Sequence, residues 1–147
     1  MPGNPDFKDL FNILNDAGVR YLVVGAHAVI YHAQPRYTKD LDLWVEPSPA
    51  NARRLWQALG RFGAPLQGVA VEDFTDPDVI YQIGLEPNRI DIQTAVAGLQ
   101  FEPAYQGAVE TTYDGIPIRL LGKRDLIAAK TASGRPQDLI DLANLTE

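Results

Sequence analysis

Residues 40–45 read DLDLWV, a short segment in which acidic and apolar side chains alternate. Successive side chains of a β-strand point to opposite faces, so this segment is predicted to be a strand with one buried face and one acidic face. Asp40 and Asp42 then share a face, and the intervening leucines point into the core. The fold has to cover the apolar face of this strand and stabilise two adjacent carboxylates on the other.

Helix and strand signals alternate along the first half of the chain, which predicts a mixed α/β class. Apolar residues recur at helical spacing over 7–14, after a helix start formed by Asn4 and Pro5. Residues 19–24 are β-branched and aromatic and are predicted to form a buried strand. Ser48 is predicted to cap a helix that ends near residue 62.

The second half of the chain predicts two β-hairpins followed by helices. The hairpins are expected within 79–94 and 109–121, and Pro117 is expected to place the last strand at a sheet edge. Residues 63–78 are predicted to be irregular and exposed. Helices within 125–145 are expected to pack beside a mixed sheet, and residues 1–147 are expected to form one domain.

A third carboxylate occupies a setting similar to that of the first two. Asp91 and Gln93 alternate with isoleucines in a predicted strand, so they share a polar face. If this strand neighbours the first, Asp91 completes a triad with Asp40 and Asp42. Mg²⁺ prefers such oxygen ligands and often leaves coordination positions for water and phosphates. The competing interpretation is a solvated acidic face without catalytic function.

Composition narrows the classes of function. The net charge is −6, with 13 Lys and Arg against 19 Asp and Glu, which argues against a dedicated DNA-binding module. The chain has no cysteine, so disulfides and thiolate metal sites are excluded. No apolar run has the roughly 18 residues of a membrane span, and no signal peptide is recognisable, so a cytoplasmic protein is expected.

A glycine turn at Gly25 links the strand at 19–24 to a short predicted helix, and the Asp-x-Asp strand follows soon afterwards. Glycine lets the backbone approach a ligand closely, and a helix N-terminus offers N–H groups to phosphate. In this order and spacing the chain resembles the nucleotidyltransferase superfamily, in particular its minimal prokaryotic members and the AbiEii-like toxin branch. The matching segments are LVVGAHAV at 22–29, RYTKDLDL at 36–43, RIDI at 89–92, DLIAAK at 125–130 and GRPQDLIDL at 134–142.

The resemblance implies a nucleotidyltransferase-like fold and the transfer of a nucleoside monophosphate from a nucleoside triphosphate to a hydroxyl, with release of pyrophosphate. It implies Mg²⁺ or Mn²⁺ as cofactor and Asp40, Asp42 and Asp91 as catalytic metal ligands. It places the triphosphate near Gly25, and it brings Lys130 and Arg135 to the phosphates. The implied acceptor is a small molecule, a protein or RNA, and a toxin–antitoxin partner is a further implication.

The acidic positions of the tail motif, Asp138 and Asp141, are interpreted as structural partners of Lys130 and Arg135. The second turn residue is Ala26, whereas the superfamily usually has Gly or Ser there. Alanine offers only its backbone N–H, so an inactive, partner-binding relative remains an alternative.

Several other residues were weighed for binding roles. Arg36 and Lys39 flank the acidic strand and are candidate phosphate ligands, or ordinary loop cations. Trp44 is a candidate for stacking on a base, but sheet packing is the more common role. His27 and His32 lack the i, i+4 spacing of paired metal ligands and are predicted to pack or to face solvent.

Overall fold

The computed structural model describes residues 4–33, 40–85 and 88–146. It contains a six-stranded mixed sheet in the order β3-β4-β2-β1-β6-β5, with helices around it, which confirms the predicted mixed α/β class. The strands are β1 Tyr21–Val24, β2 Leu41–Val45, β3 Ile80–Ile83, β4 Ile90–Gln93, β5 Val109–Tyr113 and β6 Ile116–Leu120. The helices are α1 Pro5–Asp16, α2 Gly25–His32, α3 Pro49–Phe62, a 3₁₀ helix Val71–Thr75, α4 Phe101–Gln106, α5 Lys123–Ser133 and α6 Pro136–Thr146.

The first helix begins and ends where local chemistry predicts. The Asn4 side chain accepts hydrogen bonds from the backbone N–H groups of Asp6 and Phe7, and Pro5 occupies the first turn. Beyond the last helical residue, Gly18 adopts a left-handed φ of 69°, which favours glycine. The predicted apolar face is buried in the core and comprises Phe7, Leu10, Phe11 and Leu14.

The centre of the sheet brings the two acidic strands together. Strand β2 pairs antiparallel with β1 and parallel with β4, in a register that sets Asp42 opposite Asp91. A parallel pair needs a long crossover, which α3, the 3₁₀ helix and β3 provide here. The apolar faces of these strands are fully buried, with Leu41, Leu43 and Ile92 at most 1% exposed.

The prediction that Pro117 marks an edge strand is wrong. Strand β6 lies between β1 and β5, and β5 forms the edge. The proline is tolerated because β1 and β6 pair only at Val23 and Leu120, beyond the position of Pro117. On this side the Asn15 side-chain amide donates a hydrogen bond to the Pro117 carbonyl at 2.7 Å.

Two short helices depart from the sequence prediction. Residues 63–78 were expected to be irregular and exposed, but they include the 3₁₀ helix, whose Phe74 is 1% exposed and packs edge-on against Tyr81. Helix α4 was not predicted, and its Phe101 contacts Trp44 edge-on. Both helices are five or six residues long, too short for a helical repeat of apolar residues.

The tail helices pack as expected. Helices α5 and α6 contact each other and α2, and they bury Leu126, Ala129 and Leu145. Over the described ranges, no helix combines the length and the apolar character that crossing a membrane requires.

Candidate active site

Three carboxylates lie at the junction of β2 and β4. Asp42 and Asp91 face each other in the parallel register, and Asp40 immediately precedes β2. Asp91 is 8% exposed and Asp42 is partly buried. The structure therefore places β4 beside β2, as the triad prediction required.

Gly25 packs directly against Asp42. It follows β1 and starts α2, and its neighbour Val24 pairs with Asp42 across the sheet. A Cβ atom on Gly25 would lie 2.2 Å from Asp42 Oδ2 and 2.9 Å from Asp42 Cβ. The φ of Gly25 is 67°, a left-handed value. This position requires glycine both for its backbone conformation and for the space that the carboxylate takes.

The environment of Asp42 opposes its ionisation. Burial, followed by the negative charges of Asp91 and Asp40, raises the pKa of Asp42 to about 6, although Arg89 and Lys130 act in the opposite direction. Burial and like charge therefore both destabilise the ionised form of Asp42. A carboxylate cluster of this kind favours the binding of a further cation.

Arg89 forms ion pairs with two of the three carboxylates. Its Nη2 lies 2.9 Å from Asp40 Oδ2, and its Nε lies 3.1 Å from Asp91 Oδ1. Among the described residues, no three His, Cys, Asp or Glu side chains are grouped as a metal site would require. Sequence reasoning assigned no role to Arg89. The sequence feature that indicates a role for Arg89 is its position two residues before Asp91, which puts both side chains on one face of a strand.

The tail residues form an ion network beside the carboxylates, in which Lys130 is buried and Arg135 is exposed. Lys130 Nζ lies 3.1 Å from both Asp138 Oδ1 and Asp141 Oδ2, and Arg135 Nε lies 2.9 Å from Asp138 Oδ2. The two aspartates are at most 1% exposed. Burial opposes the ionisation of Asp138, but hydrogen bonds from Arg135, Ser133 and Lys130 outweigh it and hold the pKa of Asp138 far below its usual range. The acidic tail residues thus contact the two cations as interpreted from the sequence.

A cavity of about 380 Å³ connects the carboxylates to this network. Gly25, Asp42 and Asp91 line it together with Lys130, Arg135 and Asp138. Asp40 and Ala26 are not among the described residues that line it. Arg36 and Lys39 lie outside the described residues. The remaining lining is largely apolar and includes Ile80, Ala95, Val96, Ala97, Leu121 and Leu126.

The histidines and Trp44 have packing roles. Trp44 is 1% exposed and contacts Phe101, so it does not present its ring to the cavity. His27 packs edge-on against Phe7, and burial lowers its pKa. The Nε2 atom of His32 lies 2.8 Å from the Leu121 carbonyl oxygen.

No protein-family model and no curated protein matches the chain. Several solved structures do match its fold. The lincosamide antibiotic adenylyltransferase LnuA, bound to lincomycin, superposes with a TM-score of 0.63 at 14% identity, over 99% of this chain and 98% of its own. The antibiotic-resistance factor ANT(2'')-Ia superposes in its solution structure with a TM-score of 0.64 at 14% identity, over 95% of this chain and 80% of its own. Its crystal structure with adenylyl-2''-tobramycin gives a TM-score of 0.58 at 12% identity, over 95% of this chain and 84% of its own. The chain therefore has a nucleotidyltransferase-like fold, a mixed six-stranded sheet flanked by helices.

Proposed function

We propose that the protein transfers a nucleoside monophosphate from a nucleoside triphosphate to the hydroxyl of a small acceptor, in a reaction that depends on a divalent cation. One observation carries this proposal: Asp42 and Asp91 are opposed in register at a cavity that Gly25 and the cations Lys130 and Arg135 also line. Carboxylates and cations that line one cavity suit a metal-bound triphosphate.

The carboxylates have the chemistry of a Mg²⁺ or Mn²⁺ site. They offer hard oxygen ligands, and a cation would offset both the burial and the neighbouring negative charges that raise the pKa of Asp42. Asp42 and Asp91 would hold the cation, with Asp40 as a further ligand once Arg89 has left it. When bound, the cation neutralises the phosphates and polarises the phosphorus that is attacked.

The chain's own residues position the reactants. Among the described residues no side chain caps the first turn of α2, and its backbone N–H groups would donate to a phosphate. Lys130 and Arg135, which line the same cavity, would contact the leaving pyrophosphate. The acceptor oxygen forms a bond to the α-phosphorus, the bond from that phosphorus to the bridging oxygen breaks, and pyrophosphate leaves. Asp91 takes the hydroxyl proton.

The neighbours suggest where to look for an acceptor. LnuA is bound to lincomycin, and ANT(2'')-Ia is in complex with adenylyl-2''-tobramycin. The apolar part of the cavity, which includes Ile80 and Val96, offers surface to the body of such a molecule. The acidic chain also disfavours a long RNA acceptor.

The test is a transfer assay with each nucleoside triphosphate labelled at the α-phosphate, a panel of hydroxylated antibiotics and sugars, and Mg²⁺ or Mn²⁺. We expect a labelled acceptor and stoichiometric pyrophosphate. Asp42→Asn should reduce turnover by at least about 1,000-fold, because it removes a ligand that acts in the transition state. Asp16→Asn is the matched control, since Asp16 is an exposed partner of Arg61. Full activity of Asp42→Asn would refute the assignment.

A second candidate is a catalytically silent protein that binds a nucleotide or a protein partner, for example in a toxin–antitoxin pair. The ion pairs of Arg89 with Asp40 and Asp91 favour the silent protein, because a guanidinium already engages carboxylates that a metal ion would need. Ala26 also favours the silent protein, because alanine offers a phosphate only its backbone N–H. Co-purification with a specific partner, with no turnover on any acceptor, would support this function over transfer.

A further inference from the structure

Arg89 joins two carboxylates that come from different strands. It directly precedes β4, and its side chain lies on the same face as Asp91 because the two are two residues apart. Besides the contacts of 2.9 and 3.1 Å given above, its Nη2 lies 3.2 Å from Asp91 Oδ2. The guanidinium therefore forms a fork on Asp91 while it also holds Asp40.

The oxygens that Arg89 engages are those that a divalent cation would need. A guanidinium stays protonated in proteins, so Arg89 releases these carboxylates only by moving. Its side chain is 31% exposed, against 16% for Asp40 and 12% for Asp91, so it is the member of the cluster with the freest path to solvent. A divalent ion bound by the same carboxylates would be repelled by Arg89 in its present position, since like charges would be a few ångströms apart.

We propose that Arg89 is the internal counter-cation of this site: it holds Asp40 and Asp91 in place while no divalent cation is bound, and it leaves them when one enters. This rests on the proposed metal site. Arg89 is a positioning residue that competes with the metal.

The exchange has a consequence for the nucleotide. A triphosphate in the cavity offers the displaced guanidinium an anionic partner. Metal and triphosphate should then bind cooperatively, each favouring the state in which Arg89 has moved. Metal alone should bind weakly, because it has to displace Arg89 without that compensation.

The experiment titrates metal-free wild type, Arg89→Gln, Arg89→Lys, Arg61→Gln and Asp42→Asn with Mn²⁺ alone, and then with a nonhydrolysable triphosphate, by calorimetry. Arg61→Gln is the matched control because it removes the same charge from an exposed ion pair with Asp16. We expect Arg89→Gln to bind Mn²⁺ on the order of tenfold tighter than wild type and to lose the coupling with the triphosphate. The Mn²⁺ affinity of Arg89→Lys should lie between those of wild type and Arg89→Gln. Arg61→Gln should bind Mn²⁺ with the affinity of wild type.

Thermal unfolding of the same proteins provides a second measurement. Without metal, Arg89→Gln should melt at a lower temperature than wild type, and Mn²⁺ should raise its melting temperature by more. Arg89→Lys keeps the charge, and it serves as the test variant if Arg89→Gln does not fold.

The outcomes separate the two proposals. Unchanged or weaker Mn²⁺ binding by Arg89→Gln, with wild-type binding that Asp42→Asn abolishes, would overturn the role of Arg89 and leave the proposed function standing. Mn²⁺ binding by Arg89→Gln but not by wild type would support the role of Arg89 and favour the silent protein. Absence of Mn²⁺ binding in every variant would overturn the metal site and the role of Arg89 together.

Discussion

Replacing Gly25 by alanine is the most informative single perturbation of the proposed site. The substitution adds one methyl group at a backbone φ of 67°. That methyl carbon would lie 2.2 Å from Asp42 Oδ2 and 2.9 Å from both Cβ and Cγ of Asp42. Rotation of the carboxylate relieves the first contact, but the contact with Cβ requires the backbone of β2 or α2 to move.

Gly18 separates the two contributions to this effect. Its φ is 69°, almost the same as that of Gly25, and a Cβ there would meet nothing within 4 Å. Gly18→Ala therefore carries only the left-handed strain, about 1–2 kcal/mol. Gly25→Ala carries that strain and the steric overlap, which for overpacking is about 1–3 kcal/mol. We expect Gly25→Ala to lower the free energy of unfolding by about 2–5 kcal/mol in total.

The assay is urea denaturation of the two variants and wild type, followed by Mn²⁺ and nucleotide titration of each. Gly25→Ala should also lose metal binding because Asp42 is displaced, whereas Gly18→Ala should keep it. In the double variant Gly25→Ala/Asp42→Ala, part of the steric penalty should disappear, with a coupling energy of about 1 kcal/mol or more. Equal destabilisation by the two glycine variants, with metal binding retained in both, would refute the close approach of Gly25 to Asp42.

Three further substitutions test separate parts of the account. Burial and like charges raise the pKa of Asp42 from 3.8 to about 6, so the folded protein binds a proton more tightly than the unfolded chain and loses stability as pH rises through 6. In urea denaturation with chelator, Asp42→Asn should therefore be about 1–3 kcal/mol more stable than wild type at pH 7.5. This difference should disappear near pH 4. Lower stability of Asp42→Asn at pH 7.5 would contradict the raised pKa. Asp138→Ala removes a buried partner of Lys130 and should cost about 3 kcal/mol, against less than about 0.5 kcal/mol for the exposed Asp16→Ala, and equal values would count against the buried network. Phe74→Ala should cost about 3–5 kcal/mol because the side chain is buried, and a cost under 1 kcal/mol would mean that the 3₁₀ helix does not pack on the core.

The elements with a regular apolar repeat were predictable from the sequence. Helix α1 has four apolar residues at helical spacing between an Asn-Pro start and a glycine stop, and the structure buries all four. The alternation of carboxylate and leucine in β2 likewise defined which side chains share a face. In these segments local preference and tertiary packing require the same conformation.

The elements missed by the sequence depend on long-range contacts. Phe74 and Phe101 anchor one-turn or two-turn helices through Tyr81 and Trp44, and a single buried aromatic leaves no periodic signal. The edge prediction for Pro117 failed because the sequence does not reveal that β1 and β6 pair at a single position.

The candidate site was predictable where it depends on strand periodicity and not where it depends on long-range pairing. The side-chain faces of Asp42 and Asp91 follow from strand periodicity, but their opposition depends on β4 pairing beside β2 in one register. The ion pair from Arg89 to Asp40 spans two strands and has no local signature. The assignment of Gly25, Asp40, Asp42, Asp91, Lys130 and Arg135 to nucleotide and metal binding stays a prediction.

The decisive measurement of metal-dependent nucleotide binding compares wild type with Asp42→Asn/Asp91→Asn. Each protein is titrated with a nucleoside triphosphate in Mg²⁺ and in chelator. Calorimetry on the purified full chain gives the affinity and stoichiometry in each condition. We expect wild type to bind one triphosphate per chain with Mg²⁺. We expect a large loss of triphosphate affinity in chelator and in the double variant. Triphosphate binding that is indifferent to Mg²⁺ and to both aspartates, or no binding at all, would contradict the proposed site.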